Sequence, residues 1–212
     1  MLDLAATIQD LAISLPVFLL ALTIHEFAHG WVANRLGDPT ARLQGRLTLN
    51  PMAHLDIIGT IAIALIGFGW AKPVPVDARY LRHPRQDMIL IAAAGPGSNL
   101  ILAAAVALCY RMMPWGVLGP EWAWLLVPLR AMLRTGVWVN VLLAVFNLLP
   151  IPPLDGSRVV SGLLPLRQAI SYSRLEPYGF VIIFLLFFSG IMDPIFGVAV
   201  RTLTLALFRM WG

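Results

Sequence analysis

The stretch Leu11–His29, with the sequence LAISLPVFLLALTIHEFAH, is predicted to form an apolar helix that ends in a metal-binding pattern. No charged residue precedes Ile24 in this stretch, and His25, Glu26 and His29 follow directly. On a helix the two histidines lie one turn apart on one face, so both imidazoles can reach a single metal ion. Glu26 is rotated by about 100° from His25 and can accept a proton from a water that the metal activates. The alternative is a pair of structural histidines held by neighbouring side chains.

The composition is that of an integral membrane protein. Of the 212 residues, 59% are hydrophobic and only 12% are charged, and the mean hydropathy is +0.80. Soluble domains carry about 25% charged residues. Charge-free runs at Met88–Tyr110, Thr135–Leu154 and Pro177–Met192 approach or reach the length needed to cross a lipid bilayer. In a membrane helix the ionisable residues of the motif are costly unless they have a function.

The basic residues predict the orientation of the chain. The formal net charge is +4 and the isoelectric point is about 9.8, values that nucleic-acid-binding proteins also show. Here, however, Arg and Lys concentrate in short segments beside apolar runs, at 35–46, 72–85 and 158–174. This positive-inside pattern places those segments on the cytoplasmic side of the plasma membrane and argues against nucleic-acid binding. The single cysteine, Cys109, excludes an intrachain disulfide and a cysteine-based zinc site.

We predict a single, all-α polytopic membrane domain over residues 1–212. Its core, about residues 10–160, contains three spans, and C-terminal helices follow at about 177–211. The predicted spans are the helix of the motif, Met88–Tyr110, Thr135–Pro150 and, in the C-terminal part, Tyr178–Met192.

Three further segments lie outside these predicted spans. Ile195–Met210 is either a last span, with Arg201 facing the bundle, or a helix that lies in the membrane interface. The apolar run Ile57–Ala71 connects two segments predicted to be cytoplasmic, so it should enter the membrane as a re-entrant hairpin; a short complete span is the alternative. The Trp-rich connection 111–134 is predicted to lie in the outer interface.

Two short segments are predicted to form a small β-sheet at the cytoplasmic mouth of the protein. Residues 40–49 alternate between polar and apolar side chains, as a half-exposed strand does. Trp70–Val76 is extended by its prolines, which restrict it to a sheet edge. Such an edge would offer backbone groups to an extended peptide.

A catalytic zinc site needs a third protein ligand besides two histidines. Asp155 is the best candidate, because the prolines that follow Asn147 end the preceding helix and deliver this carboxylate on extended chain at the depth of the motif. The alternative for Asp155-Gly156 is a turn that caps the next helix. The other candidates for the third zinc ligand are His54, Asp56, His83, Asp38 and Asp193.

Three motifs follow one another in a characteristic order. The His25-Glu26-x-x-His29 motif precedes the element Gly95–Asn99 (GPGSN), and the run Asn147–Gly156 (NLLPIPPLDG) comes last. In this order they resemble the site-2 protease family of intramembrane zinc metalloproteases, and the resemblance covers most of residues 20–160. It implies a three-span core with the metal within the bilayer, toward the cytoplasmic side. The chain resembles the minimal bacterial form, since it has room for neither a PDZ domain nor a nucleotide-sensing domain.

The resemblance also implies roles for individual residues. His25, His29 and Asp155 would bind one zinc ion per chain, and Glu26 would be the general base. Asn99 would hold substrate or stabilise the developing oxyanion; a hydrogen bond between packed helices is the alternative.

Other polar and small residues in the apolar helices keep more than one interpretation. Asn140 and Asn147, seven residues apart on one face, either orient the zinc ligands or the substrate or simply join helices. Gly95 and Gly97 would let another helix or a substrate backbone approach closely. For His54 the sequence allows three roles: it gates the site, it contacts a zinc ligand from behind, or it forms a hydrogen bond with a surface carbonyl.

The predicted activity is that of a zinc endopeptidase that cleaves single-span membrane proteins or remnant signal peptides inside the lipid bilayer. Two alternatives stay open. A zinc transporter or channel also places His and Asp in membrane helices, although it would tend to carry more histidines than the four present. An inactive family member that acts as a membrane adaptor would not need the Glu26 carboxylate.

Overall fold

The structure, a computed structural model, describes residues 4–56, 59, 71–117 and 119–210, and most of them are helical. The α-helices are α1 (Leu4–Arg35), α2 (Thr40–Leu43), α3 (Pro84–Met112), α4 (Ala123–Asn147), α5 (Asp155–Leu163), α6 (Leu166–Ser173), α7 (Gly179–Phe188) and α8 (Asp193–Met210). Single turns of 3-10 helix lie at Pro51–Ala53, Ala78–Tyr80, Pro120–Trp122 and Glu176–Tyr178.

Three long helices, α1, α3 and α4, pack against one another and form the core of the fold. Small and β-branched side chains make these contacts: Ala103 and Ala107 of α3 meet Val137 and Val141 of α4, and Val200 of α8 completes the cluster. Small residues allow helix backbones to approach closely, which favours helix association in a bilayer. The short helix α5 then packs across α3, so the chain that leaves α4 returns to the bundle.

Four helical segments among the described residues are long and apolar enough to cross a membrane, as a multi-pass membrane protein requires. The first three correspond to the predicted three-span core. The fourth differs from the predicted span Tyr178–Met192, because helical structure stops at Phe188 and Gly190, with φ +71°, turns the chain. The four segments are Ile8–Arg35, Pro84–Met112, Pro120–Asn147 and Leu166–Phe188.

Helix α8 lies alongside the bundle and antiparallel to α4. Near its start the Phe196 ring contacts Phe146 at the end of α4, and near its end Phe208 contacts Tyr110 at the end of α3. Helix α8 therefore runs along α4, but it is not among the four described segments that are long and apolar enough to cross a membrane. Arg201 is exposed and lines a groove together with Trp138 and Leu142 of α4.

Residues 40–49 do not form the predicted strand. Thr40–Leu43 is one turn of α-helix, and the Asp38 side chain starts it by accepting a hydrogen bond from the Thr40 amide at 2.9 Å. Gly45 follows the turn with φ +65°, a conformation that only glycine adopts readily. Polar and apolar residues that alternate over so few positions also suit a single helical turn, and the local caps decide between the two.

The predicted sheet is absent from the described residues. Between Leu55 and Ala71 there is one isolated antiparallel bridge, and residues 72–77 are extended without belonging to a ladder. Pro73 and Pro75 have no amide hydrogen to donate, which explains why the extended segment gains no strand partner. The predicted re-entrant hairpin Ile57–Ala71 lies almost entirely outside the described residues.

The described part of the connection 111–134, which is predicted to lie in the outer interface, is largely helical. Helix α4 already begins at Ala123. Within this helix, Arg130 Nε donates to the Tyr110 hydroxyl at 3.1 Å. Its guanidinium lies over the Trp115 ring, 5.7 Å from the ring centroid, which is a cation–π contact. Aromatic residues at the end of the bundle thus contact the charge of Arg130.

Candidate metal centre

Three side chains from two helices converge on one point in the bundle. His25 and His29 lie one turn apart on α1 and are 5% and 9% exposed. Their Nε2 atoms are 3.1 Å apart, and Asp155 Oδ2 lies 3.1 Å from the first and 3.2 Å from the second. Ligand atoms held at about 2.0 Å by a tetrahedral zinc ion are about 3.3 Å from one another. The triangle of ligand atoms therefore has the size that zinc requires.

Hydrogen bonds at Nδ1 of each imidazole fix the ring so that Nε2 faces the triangle. His25 Nδ1 lies 2.6 Å from Asn99 Oδ1, and His29 Nδ1 lies 2.7 Å from the carbonyl oxygen of Ile91. Both partners are acceptors, so both Nδ1 atoms carry the hydrogen and donate it. Each Nε2 then presents a lone pair to the same point, as metal-binding histidines do.

Asp155 is the first residue of α5, and its side chain makes no capping hydrogen bond. The connection Leu148–Leu154 reaches it through successive tight turns. Oδ2 is buried and has no hydrogen-bond donor among the described residues. A buried anionic oxygen beside two lone pairs is costly unless a cation lies between them. The donor set and its unsatisfied charge thus fit a zinc ion.

Helix α3 approaches the triangle most closely at Gly95. A Cβ at this position would overlap His29 Nε2 and His25 Cε1. Gly97, two residues further along the same helix, has no described atom within 4 Å of where its Cβ would be. The sequence indicated close approach at both glycines, and the structure shows that only Gly95 makes room for the metal-binding rings.

Gly95→Ala is expected to lower zinc affinity by about 10- to 100-fold or more. A loss of about 10- to 100-fold is typical when a residue that supports a metal ligand is disturbed. The physical reason is the added methyl group, which occupies the space of the two imidazoles. Zinc per chain, measured in purified protein at graded zinc concentrations, tests this. Gly97→Ala adds the same methyl group to open space and should bind zinc normally; equal affinities in the two variants would contradict the packing argument.

Asn99 is fully buried and connects three helices through its amide. Oδ1 accepts from His25, and Nδ2 donates to the Ala21 carbonyl at 3.1 Å and to Asn140 Oδ1 at 2.9 Å. Asn140 Nδ2 in turn donates to the Gly136 carbonyl at 2.8 Å. These hydrogen bonds occupy both amides, so the geometry favours orientation of a ligand and helix packing over contact with substrate.

Asn99→Leu keeps the side-chain volume but removes the acceptor that orients His25. We expect zinc affinity to fall about 10- to 100-fold, the usual cost of losing such a partner. Asn147→Leu is the matched control, because among the described residues Asn147 Nδ2 donates to the Leu143 carbonyl of its own helix and contacts no zinc ligand. Competition for zinc with a chelator of known affinity measures both variants, and an unchanged affinity in Asn99→Leu would show that His25 is oriented by other contacts.

Glu26 lies beside the triangle on α1 and is 8% exposed. Its Oε2 accepts a hydrogen bond from the Val74 amide at 2.9 Å. This hydrogen bond holds one carboxylate oxygen, and Oε1 has no hydrogen-bond partner among the described residues.

The remaining candidates lie outside the triangle. His54 is fully buried, and its Nε2 donates to the Thr48 carbonyl at 2.8 Å, one of the roles considered for it. Asp38 accepts hydrogen bonds from the Thr40 and Asp77 amides. None of the other side chains considered as a third ligand joins the group of three in the described part of the chain, namely Asp56, His83 and Asp193.

Two contributors to the site could not be found by sequence reasoning. The Ile91 carbonyl orients His29, and the Val74 amide holds Glu26. Every residue has a backbone carbonyl and every residue except proline has an amide hydrogen, so these partners have no residue-type signal.

Comparisons with known proteins agree with the geometry. A family model described as Peptidase family M50 matches residues 121–190, which include Asp155. Three relatives are named "Putative zinc metalloprotease". YwhC of Bacillus subtilis is 42% identical over 178 residues, which are 80% of this chain and 77% of that protein. Rip2 of Mycolicibacterium smegmatis is 31% identical over 80% of this chain, and Rip2 of Mycobacterium tuberculosis is 30% identical over 76% of it.

The matches differ in how much of each relative they cover. The chain spans 64% of the Mycolicibacterium smegmatis protein and 55% of the Mycobacterium tuberculosis protein, less than two thirds of either. No solved structure matches the chain.

Proposed function

Because the chain belongs to peptidase family M50, the site-2 protease family, we propose that it is an intramembrane zinc endopeptidase. Its substrates would be the transmembrane segments of single-span membrane proteins or remnant signal peptides. The observation that carries the proposal is the triangle of His25, His29 and Asp155 beside a buried Glu26, inside a bundle of membrane helices. A site for zinc storage or transport would not need the carboxylate of Glu26 in addition to the three ligands.

Each polar group of the site has a place in peptide hydrolysis. His25, His29 and Asp155 would hold the zinc ion, which supplies Lewis acidity that polarises a peptide carbonyl and makes a nearby water more acidic. Glu26 takes the proton of the attacking water and delivers it to the amine that leaves. The Val74 amide keeps this carboxylate in one position during both transfers.

A substrate helix must unwind before it can be cut, since its carbonyls are hydrogen-bonded within the helix and hidden from attack. With a helical turn at Thr40–Leu43, the extended chain beside Glu26 is Lys72–Val76. We infer that an unwound substrate lies along this segment. The neighbouring basic segments support a site that faces the cytoplasmic side of the plasma membrane.

The test is cleavage of a helical model substrate by the purified protein in detergent, with and without a zinc chelator. Cleavage that stops with the chelator and returns with zinc is expected. Zinc flux in liposomes without cleavage would identify a transporter instead, and substrate binding without cleavage would identify an adaptor.

A further inference from the structure

The chain at Lys72–Val74 lies directly on the helix that carries the metal-binding motif. Val74 donates its amide hydrogen to Glu26. One turn further along α1, a Cβ at Gly30 would lie only 3.1 Å from Val74 Cγ1. Glycine at this position therefore allows the extended segment to pack tightly against α1, beside the carboxylate proposed as the general base.

Arg46 is the side chain that holds this segment from the opposite side. It is 8% exposed, and its Nη2 donates to the carbonyl oxygens of Lys72 at 2.7 Å and Pro73 at 3.3 Å. A buried guanidinium needs hydrogen-bond acceptors. Nη2 finds them in these two backbone carbonyls, whereas the buried Nε has no partner among the described residues. The Pro73 carbonyl is the one that belongs to the peptide group in contact with Glu26.

The Pro73 carbonyl and the Val74 amide belong to the same peptide group. Arg46 donates to the oxygen of this peptide group. The N–H of the same peptide group, which belongs to Val74, donates to Glu26 Oε2. A cation at one end and a carboxylate at the other polarise the peptide dipole in the same direction, which strengthens both hydrogen bonds. Arg46 and Glu26 thus contact opposite ends of one peptide group without contacting each other.

Other contacts fix the two ends of the segment but do not reach Glu26. The Lys72 amide donates to the His54 carbonyl at 2.9 Å, and the Asp77 amide donates to Asp38 Oδ2 at 2.7 Å. Between these ends, Pro73 and Pro75 have no amide hydrogen. Among the described residues, Arg46 is the side chain that donates to the oxygen of the Pro73–Val74 peptide group.

We propose that Arg46 is a positioning residue for Glu26, acting through the Pro73–Val74 peptide group. The inference rests on the proposed function, in which Glu26 is the general base. It predicts that Arg46 affects the rate of the chemical step and leaves metal binding unchanged, because Arg46 makes no contact with His25, His29 or Asp155.

The kinetic test compares Arg46→Ala and Arg46→Lys with Arg42→Ala. We expect Arg46→Ala to lower kcat about 10- to 100-fold, as loss of an orienting partner does, with KM and zinc content unchanged. Lysine keeps the charge but presents a single ammonium group, so Arg46→Lys should recover part of the rate. Arg42 is exposed on α2, four residues before Arg46, and Arg42→Ala should behave as wild type.

A double-mutant cycle shows whether Arg46 acts through Glu26. In the Glu26→Gln background, Arg46→Ala should have no further effect on the residual rate, since the group that it positions is already inactive. A second loss of the same size would overturn the proposal, as would a normal kcat in Arg46→Ala. If Glu26→Gln itself cleaved normally, Glu26 would not be the general base and Arg46 could not position it. The proposed function fails on a different result, namely the absence of zinc-dependent cleavage by the wild-type protein, so the two failures are distinguishable.

Hydrogen exchange of the same variants gives a readout that does not depend on activity. Between residues 72 and 76 only Lys72, Val74 and Val76 have amide hydrogens, so a peptide covering this segment reports on few sites. Arg46→Ala should accelerate exchange at Val74, and Arg42→Ala should not. Unchanged protection at Val74 in Arg46→Ala would mean that Arg46 does not hold the peptide group.

Discussion

Glu26→Gln is expected to slow cleavage by about 10²- to 10⁴-fold, the range typical of a lost general base. The amide has nearly the shape of the carboxylate and can still accept the hydrogen bond from Val74, but it cannot take a proton from water. Zinc content and substrate binding should therefore stay at wild-type levels. The measurement is the single-turnover rate on a helical model substrate, together with zinc per chain.

The zinc content distinguishes loss of the base from loss of the site. A slow variant that also lacks zinc would show a damaged metal centre and would not test the role of Glu26. Near-normal cleavage by a zinc-loaded Glu26→Gln variant would exclude Glu26 as the base.

Asp155→Ala is expected to abolish cleavage and to weaken zinc binding by more than about 100-fold. Loss of a residue that only orients a metal ligand costs about 100-fold at most, and Asp155 is itself a proposed ligand. The variant removes one of three ligand atoms and the only anionic one, so the two remaining nitrogens bind a divalent cation weakly. Zinc titration of the purified protein measures the effect, and restoration of activity at high zinc would agree with a weakened site.

Asp193→Ala is the matched control for this change. Asp193, like Asp155, is the first residue of a helix, α8, but it lies outside the metal centre. Its loss should leave zinc binding and cleavage intact. If Asp155→Ala kept its zinc while His54→Ala lost it, the third ligand would be His54.

Local periodicity explains why part of the site was predictable. His25 and His29 are four residues apart on one helix, and this spacing places both imidazoles on one face in any fold. The charge-free runs likewise predict membrane helices, because a bilayer leaves a long apolar segment few alternatives. Asp155 was predicted from its prolines and from the resemblance to a family, and the structure brings it to the two histidines.

Short segments and loops were harder to predict. At residues 40–49 the polar and apolar pattern favours a strand, but the Asp38 side chain and Gly45 form a helical turn there. Only a few specific contacts there outweigh the average preference of the segment.

By itself the sequence determined the apolar helices and the pair of histidines with Glu26 between them, because helix geometry acts over a few residues. Only the tertiary structure decided which oxygen completes the triangle, that Gly95 leaves room for the rings, and that the Val74 amide meets Glu26. These contacts join residues far apart in the chain, and several use backbone groups that every residue type carries. Their positions follow from how the helices pack, and packing depends on the whole chain.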